Sequence, residues 1–193
     1  VVLSDYAKGV LTGPVIRAVI EAARRHGIPV IVDPKGHDYR VYRGASLITP
    51  NAKELSAAVH RPLRDEAEIA AAAAELARLV ESEAVLVTRS EQGMSLHVEG
   101  QPPIHIEAYP VKVRDVSGAG DTVAAVMAVL AAMRTSYESA MRAANAAAAV
   151  VVGKRGTSTV SLGELRHRIL PAASLAPEDK IVFDWSVLDE RLA

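Results

Sequence analysis

The 193-residue chain has no cysteine, which excludes disulfides, thiolate catalysis and any zinc site built on cysteine. That absence is compatible with a reducing cytoplasm, and a cytoplasmic setting is the expectation. Aromatic residues are only 4% of the chain while half of it is hydrophobic, so Ala, Val, Leu and Ile must build a closely packed core. Neither sign of charge dominates: 22 basic residues face 23 acidic ones, leaving no electrostatic footprint for nucleic acid or an anionic membrane. Any anionic ligand has to be held locally. Long hydrophobic runs are also missing, since residues 143–152 form the longest and fall short of the roughly 20 needed to span a bilayer. Nothing near the start reads as a signal peptide. The chain opens on Val1, directly on the strand-like VVLSDY, which is expected of a piece of a longer protein.

What is present follows an α/β grammar. Residues 1–3 read as a buried strand, and Gly13-Pro14 opens a helix through about residue 26. IPVIVDPKG supplies a strand over 29–32 that stops at Asp33-Pro34. Strand 46–48, helices 51–59 and 65–80, and strand 84–87 repeat the alternation that implies parallel βαβ units. Residues 93–98 and 104–108, separated by EGQPP, predict an antiparallel hairpin at the sheet edge. Alanine-rich helices over 121–132 and 137–152 come next, then a polar loop and a helix over 162–170. Residues 171–179 read as a linker and 180–193 as the approach to another unit.

In an open parallel sheet, ligands bind beyond the carboxyl ends of the strands, so the loops SDYAKG, DPKG, TPNAKE and TRSEQG draw attention first. The turn Ser117-Gly118-Ala119-Gly120 runs straight into Asp121 at the start of an apolar helix. Glycines there let successive N–H groups converge where the helix dipole adds positive potential, which suits a phosphoryl group, and Asp121 beside it could accept an alcohol proton. A simple helix N-cap explains the pentapeptide equally well. Asn51 and Glu54 in NAKE share a helix face and either reach one Mg²⁺ through water or merely cap the helix. Lys35 in DPKG either neutralises phosphate or is solvated. Arg89 and Ser90 either contact phosphates or close a strand-end turn. Asn145 either meets an adenine edge or pairs with backbone. The six histidines show no metal-ligand spacing and read as surface or turn residues, and Trp185 reads as a packing anchor. Familiar nucleotide motifs fail: Ala148 stands where a P-loop needs its first glycine, Arg155 follows the lysine, and no G-x-G-x-x-G occurs.

In this order, NAKE, TRSEQG, DVSGAGD and an Asn-bearing alanine helix resemble the carboxyl-terminal two thirds of the ribokinase-like (PfkB) carbohydrate kinases. SDYAKGVL, DPKG, LVTRSEQGMSL and VVGKRGTSTV are similar to the members that phosphorylate a heptose phosphate. The resemblance covers residues 1–170 and implies a three-layer α/β/α fold with a mostly parallel sheet, lacking the amino-terminal strands and lid. Residues 171–193 would then lead towards a nucleotidyltransferase domain. The resemblance makes Asp121 the catalytic base and Gly118, Ala119 and Gly120 the anion hole. Asn51 and Glu54 would organise Mg²⁺, while Thr88, Ser90, Gly93 and Asn145 would line the ATP site. Asp115 and Ser117 fall where some relatives hold a monovalent cation such as K⁺. The implied reaction moves the γ-phosphate of ATP to O1 of D-glycero-D-manno-heptose 7-phosphate, feeding lipopolysaccharide core synthesis. A sibling kinase of another sugar or nucleoside, or a noncatalytic nucleotide-binding module, are the rival readings. The missing amino-terminal third carries most sugar contacts and the lid through which such kinases form homodimers, so this chain alone is expected to be poorly active.

Overall fold

A computed structural model describes residues 1–36 and 38–170. The expectations for His37, for the linker and tail beyond residue 170, and for Trp185 lie outside the described residues. Six strands form one sheet in the order β1 (Val2–Ser4), β2 (Ile31–Asp33), β3 (Leu47–Ile48), β4 (Ala84–Thr88), β5 (Met94–Val98) and β6 (Ile104–Ile106). The first four run parallel, and β5 and β6 add antiparallel neighbours at one edge, as the expected hairpin requires.

Successive residues of β4 face opposite layers, and that alternation divides the core. Val85 and Val87 join Val32, Ile48 and Leu76 on one side, against α1 (Gly13–Arg25), α2 (Ala52–Ala58) and α3 (Glu66–Val80). Ala84 and Leu86 join Ile31, Leu47 and Met127 on the other, against α4 (Ala119–Ala132) and α5 (Tyr137–Val152). The result is the expected three-layer α/β/α arrangement. Alanine makes the second layer thin: Ala124, Ala140 and Ala144 are all buried and let α4 and α5 approach the sheet closely. A final helix, α6 (Leu162–Ile169), packs on α5. No helix among the described residues is long and apolar enough to cross a membrane.

Local chemistry sets the helix starts. Asp65 and Ser136 accept the N–H of Glu68 and Ser139, and Asn51 and Ser161 form reciprocal capping boxes with Glu54 and Glu164. Helix α4 begins differently. Its N-cap is Gly118, in the left-handed region at φ 80°, and no side chain caps it. The reversal aims the first turn of α4 at the carboxyl ends of the parallel strands. The segments following β1, β2, β3 and β4 end there too.

Candidate active site

Two adjoining hollows occupy that end of the sheet. The larger, about 570 Å³, is mostly apolar, walled by residues such as Val111, Val123 and Ala148, with Ser90, Gly93 and Asn145 among its lining. The smaller, about 190 Å³, holds four carboxylates, Asp5, Asp33, Glu54 and Asp121, and a single cation, Lys35. Thr88 and Gly120 line both and mark where they join.

Asp121, in the first turn of α4, is exposed in the acidic hollow and forms no ion pair among the described residues. Its Oδ1 accepts from Tyr6 Oη at 2.9 Å and from Ser4 Oγ at 3.4 Å, and its Oδ2 accepts from Tyr6 Oη at 3.1 Å. That bond holds the Tyr6 hydroxyl above the ordinary tyrosine range. The backbone ahead of Asp121 is fixed by Thr122 N–H and Thr122 Oγ1, which both donate to Gly118 O, at 2.9 and 2.8 Å. Ala119 N–H turns back to Val116 O at 3.2 Å, so of the three expected anion-hole amides those of Gly118 and Gly120 remain for a ligand.

Asn51 and Glu54 form the helix cap that the sequence left open. Asn51 Oδ1 accepts Glu54 N–H, Glu54 Oε2 accepts Asn51 N–H, both at 2.9 Å, and Glu54 Oε1 meets Lys35 Nζ at 2.8 Å. Glu54 nevertheless lines the acidic hollow. Among the described residues no group of three or more His, Cys, Asp or Glu side chains could hold a metal directly. These donors therefore fit Mg²⁺ only through water and substrate phosphates, the mode in which Mg²⁺ keeps most of its hydration. Asp115 is a loop anchor: Oδ1 accepts Ser117 N–H at 2.9 Å and Oδ2 accepts Gly156 N–H at 3.2 Å. Those amides, Ser117 foremost, hold its carboxyl below the usual range, so it is ionised and compatible with a cation.

Asn145 pairs with backbone, one of the two roles the sequence allowed. It is buried, its Nδ2 donates to Glu107 O at 2.8 Å, and it still lines the larger hollow. Arg89 departs from expectation. Its guanidinium is buried against α3, with Nη1 2.8 Å from Glu66 Oε1, and it lines neither hollow. The strand-end turn is the role observed: Arg89 N–H donates to Gly93 O at 2.8 Å, and the ion pair with Glu66 occupies the guanidinium. Arg89 is accordingly removed from the phosphate-binding set.

Sequence reasoning missed three groups. Asp33 ends β2 inside the acidic hollow, where burial first, then the charges of Asp121 and Glu54, push its carboxyl up to about 6. Tyr6 contacts Asp121. Buried Tyr42 donates to Asp5 Oδ2 at 2.7 Å and accepts Lys35 N–H at 3.1 Å, tying the loops after β1 and β2 together. Only DPKG itself, a carboxylate closing a buried strand, could have pointed to Asp33. The Asp33 shift yields a stability prediction. With a folded-state pKa raised above the ordinary 3.8, the native state binds the proton more tightly, so the stability Asp33 contributes is present below about pH 4 and lost as pH rises through about 6. Asp33→Asn should therefore leave stability unchanged at pH 4 and raise it at pH 8 by about 1–2 kcal/mol, after discounting for partial exposure. Urea denaturation at the two pH values measures it.

An apolar hollow opening into an acidic one at the start of a glycine-capped helix, with an aspartate of that helix's first turn on the acidic side, suits phosphoryl transfer from a nucleotide. The family model for pfkB family carbohydrate kinases matches residues 1–163, and the chain belongs to that family. It is 59% identical over 192 of its 193 residues to the bifunctional protein HldE of Rhodopseudomonas palustris (strain TIE-1), and 56% identical over 193 residues to that of Nitrobacter hamburgensis. The chain spans only 39% and 40% of those relatives' lengths. Among solved structures, Arabidopsis thaliana ribokinase complexed with ribose and ATP superposes with a TM-score of 0.77 at 27% identity, covering 87% of this chain and 55% of that one. Phosphofructokinase-2 from Escherichia coli in complex with potassium gives 0.76 at 28% identity, covering 86% and 54%.

Proposed function

We propose that this chain carries the nucleotide and general-base half of a kinase that transfers the γ-phosphate of ATP to O1 of D-glycero-D-manno-heptose 7-phosphate, in the cytoplasm. The observation that carries this reading is the junction at Thr88 and Gly120 of an apolar, nucleotide-sized hollow with the acidic hollow of Asp121. The adenosine would occupy the apolar hollow against Thr88, Ser90, Gly93 and Asn145. Its phosphates would pass the start of α4, where the amides of Gly118 and Gly120 face the migrating group. Asp121 would accept the proton of the attacking sugar hydroxyl as the oxygen bonds to phosphorus and ADP leaves with the bridging electron pair.

Four carboxylates against one lysine make the acidic hollow hostile to a bare triphosphate. Mg²⁺, held through water near Asn51 and Glu54, would supply the neutralising charge when bound. Lys35 has to divide its charge between Glu54 and the phosphates. Asp115 and Ser117 are the proposed monovalent-cation position, a reading supported by the potassium complex of Escherichia coli phosphofructokinase-2. Residues 1–170 constitute the phosphotransfer unit in this reading, with 171–193 outside it. Similarity to HldE proteins across the whole chain supports the heptose acceptor. In the same reading the intact protein forms a homodimer.

The test is ADP release by the intact protein with heptose 7-phosphate, fructose 6-phosphate and ribose compared as acceptors. Heptose 7-phosphate should give the highest kcat/KM by at least about tenfold, the size of discrimination that one or two acceptor contacts provide. Preference for another sugar would reassign the acceptor. ATP binding with no transfer to any acceptor would make the chain a binding module.

A further inference from the structure

The contact between Tyr6 and Asp121 occupies the side of the carboxylate that the chemistry needs. One hydroxyl oxygen lies 2.9 Å from Oδ1 and 3.1 Å from Oδ2, within hydrogen-bonding reach of both oxygens and so on the syn side of the carboxylate. A carboxylate takes up a proton most readily at a syn lone pair of either oxygen, and an attacking hydroxyl has to reach that side. Tyr6 is 57% exposed. Its stem is fixed: Asp5, one residue earlier, accepts Ala7 N–H at 2.7 Å and the hydroxyl of buried Tyr42 at 2.7 Å. The backbone next to Tyr6 is thus anchored through Asp5, while its ring is held only at the hydroxyl, by Asp121. Among the described residues, no other side chain donates to Asp121 except Ser4, at 3.4 Å.

We propose that Tyr6 selects the acceptor: it covers Asp121 against water until a sugar hydroxyl displaces it. The inference rests on the reading of Asp121 as base. Without the phenol, water would occupy the same position. Its oxygen would bond to the γ-phosphorus, its proton would pass to Asp121, and the bond from phosphorus to the bridging oxygen would break with its electron pair on ADP. ATP would be hydrolysed to inorganic phosphate. A water molecule brings no further contacts with which to compete against the phenol, whereas a sugar phosphate is held by its other groups and takes the place of the phenol at little cost. A single hydrogen bond at an exposed carboxylate sets the size of the effect at about tenfold, equivalent to about 1.4 kcal/mol.

The experiment compares wild type, Tyr6→Phe, Asp121→Asn and the double variant in the intact protein, measuring ADP release from Mg–ATP without acceptor and with heptose 7-phosphate. Tyr6→Phe should raise acceptor-free ADP release about tenfold and lower the acceptor KM, and the double variant should lose that hydrolysis. A purely structural role for the ring cannot raise hydrolysis. Unchanged or reduced acceptor-free release in Tyr6→Phe, with Asp121→Asn inactive, overturns the role of Tyr6 and leaves the base standing. Persistent turnover in Asp121→Asn overturns the base itself, whatever Tyr6→Phe does. A melting curve of Tyr6→Phe that matches wild type shows that its rates belong to the folded protein.

Discussion

Asp121→Asn in the intact protein is expected to reduce kcat by about 10³-fold, within the range a positioned general base contributes, while ATP affinity changes by less than about threefold. The asymmetry follows from where the side chain lies. Asp121 lines the acidic hollow and is absent from the wall of the apolar one, so the groups that would hold adenosine are untouched by the substitution. The amide is nearly isosteric, keeps an oxygen for the Tyr6 hydroxyl and preserves the first turn of α4. What it loses is the capacity to take a proton. Removing one negative charge from four carboxylates also lowers repulsion towards the triphosphate, so any change in ATP affinity should be towards tighter binding. Isothermal titration with ATP and steady-state ADP release separate the two effects. A variant with near-normal kcat would show that the proton leaves by another route.

The strand and helix order was legible because local signals agree throughout. Pro14 at a helix start, Asn51, Asp65, Ser136 and Ser161 as caps, and Asp33-Pro34 as a strand stop all act over a few residues. The SGAGD turn was legible for the same reason, since Gly118 and Asp121 belong to one helical turn. Illegible were the contacts between loops far apart in the chain. Tyr6 and Asp121 are separated by 115 residues, and nothing near either announces the other. Arg89 misled because its residue type suits phosphate, whereas its backbone closes the turn to Gly93 and its guanidinium pairs with Glu66 on α3. Glu54 shows the limit of spacing arguments: three residues from Asn51, it serves as helix cap and cleft carboxylate at once.

Gly93→Ala should be the most destabilising single-methyl change in the described part of the chain, costing about 3–5 kcal/mol. Gly93 lies at φ 88° and ψ −131°, a region open essentially only to glycine, and holding alanine there costs about 1–3 kcal/mol. Sterics add to this. A methyl group on Gly93 would overlap the carbonyl oxygen of Ile106 and come within 2.6 Å of Ala108 N and Glu107 C, all backbone atoms with no rotamer to yield. Forcing atoms into such a space costs about a further 1–3 kcal/mol. Relief requires residues 106–108 to move away from β5, which breaks the bond from Asn145 Nδ2 to Glu107 O and shifts Ala108 and Tyr109 in the wall of the larger hollow. Thermal unfolding should fall by about 10 °C or more at this chain length, and ATP binding should weaken together with it. Gly100→Ala is the internal control. Gly100 is also at positive φ, 74°, but its added methyl meets nothing within 4 Å, so that variant carries backbone strain of about 1 kcal/mol and no overlap. Equal losses in the two variants would mean that the close approach of β6 to Gly93 plays no part. A larger loss at Gly93, accompanied by weaker ATP binding only there, ties the glycine of TRSEQG to the wall of the cavity.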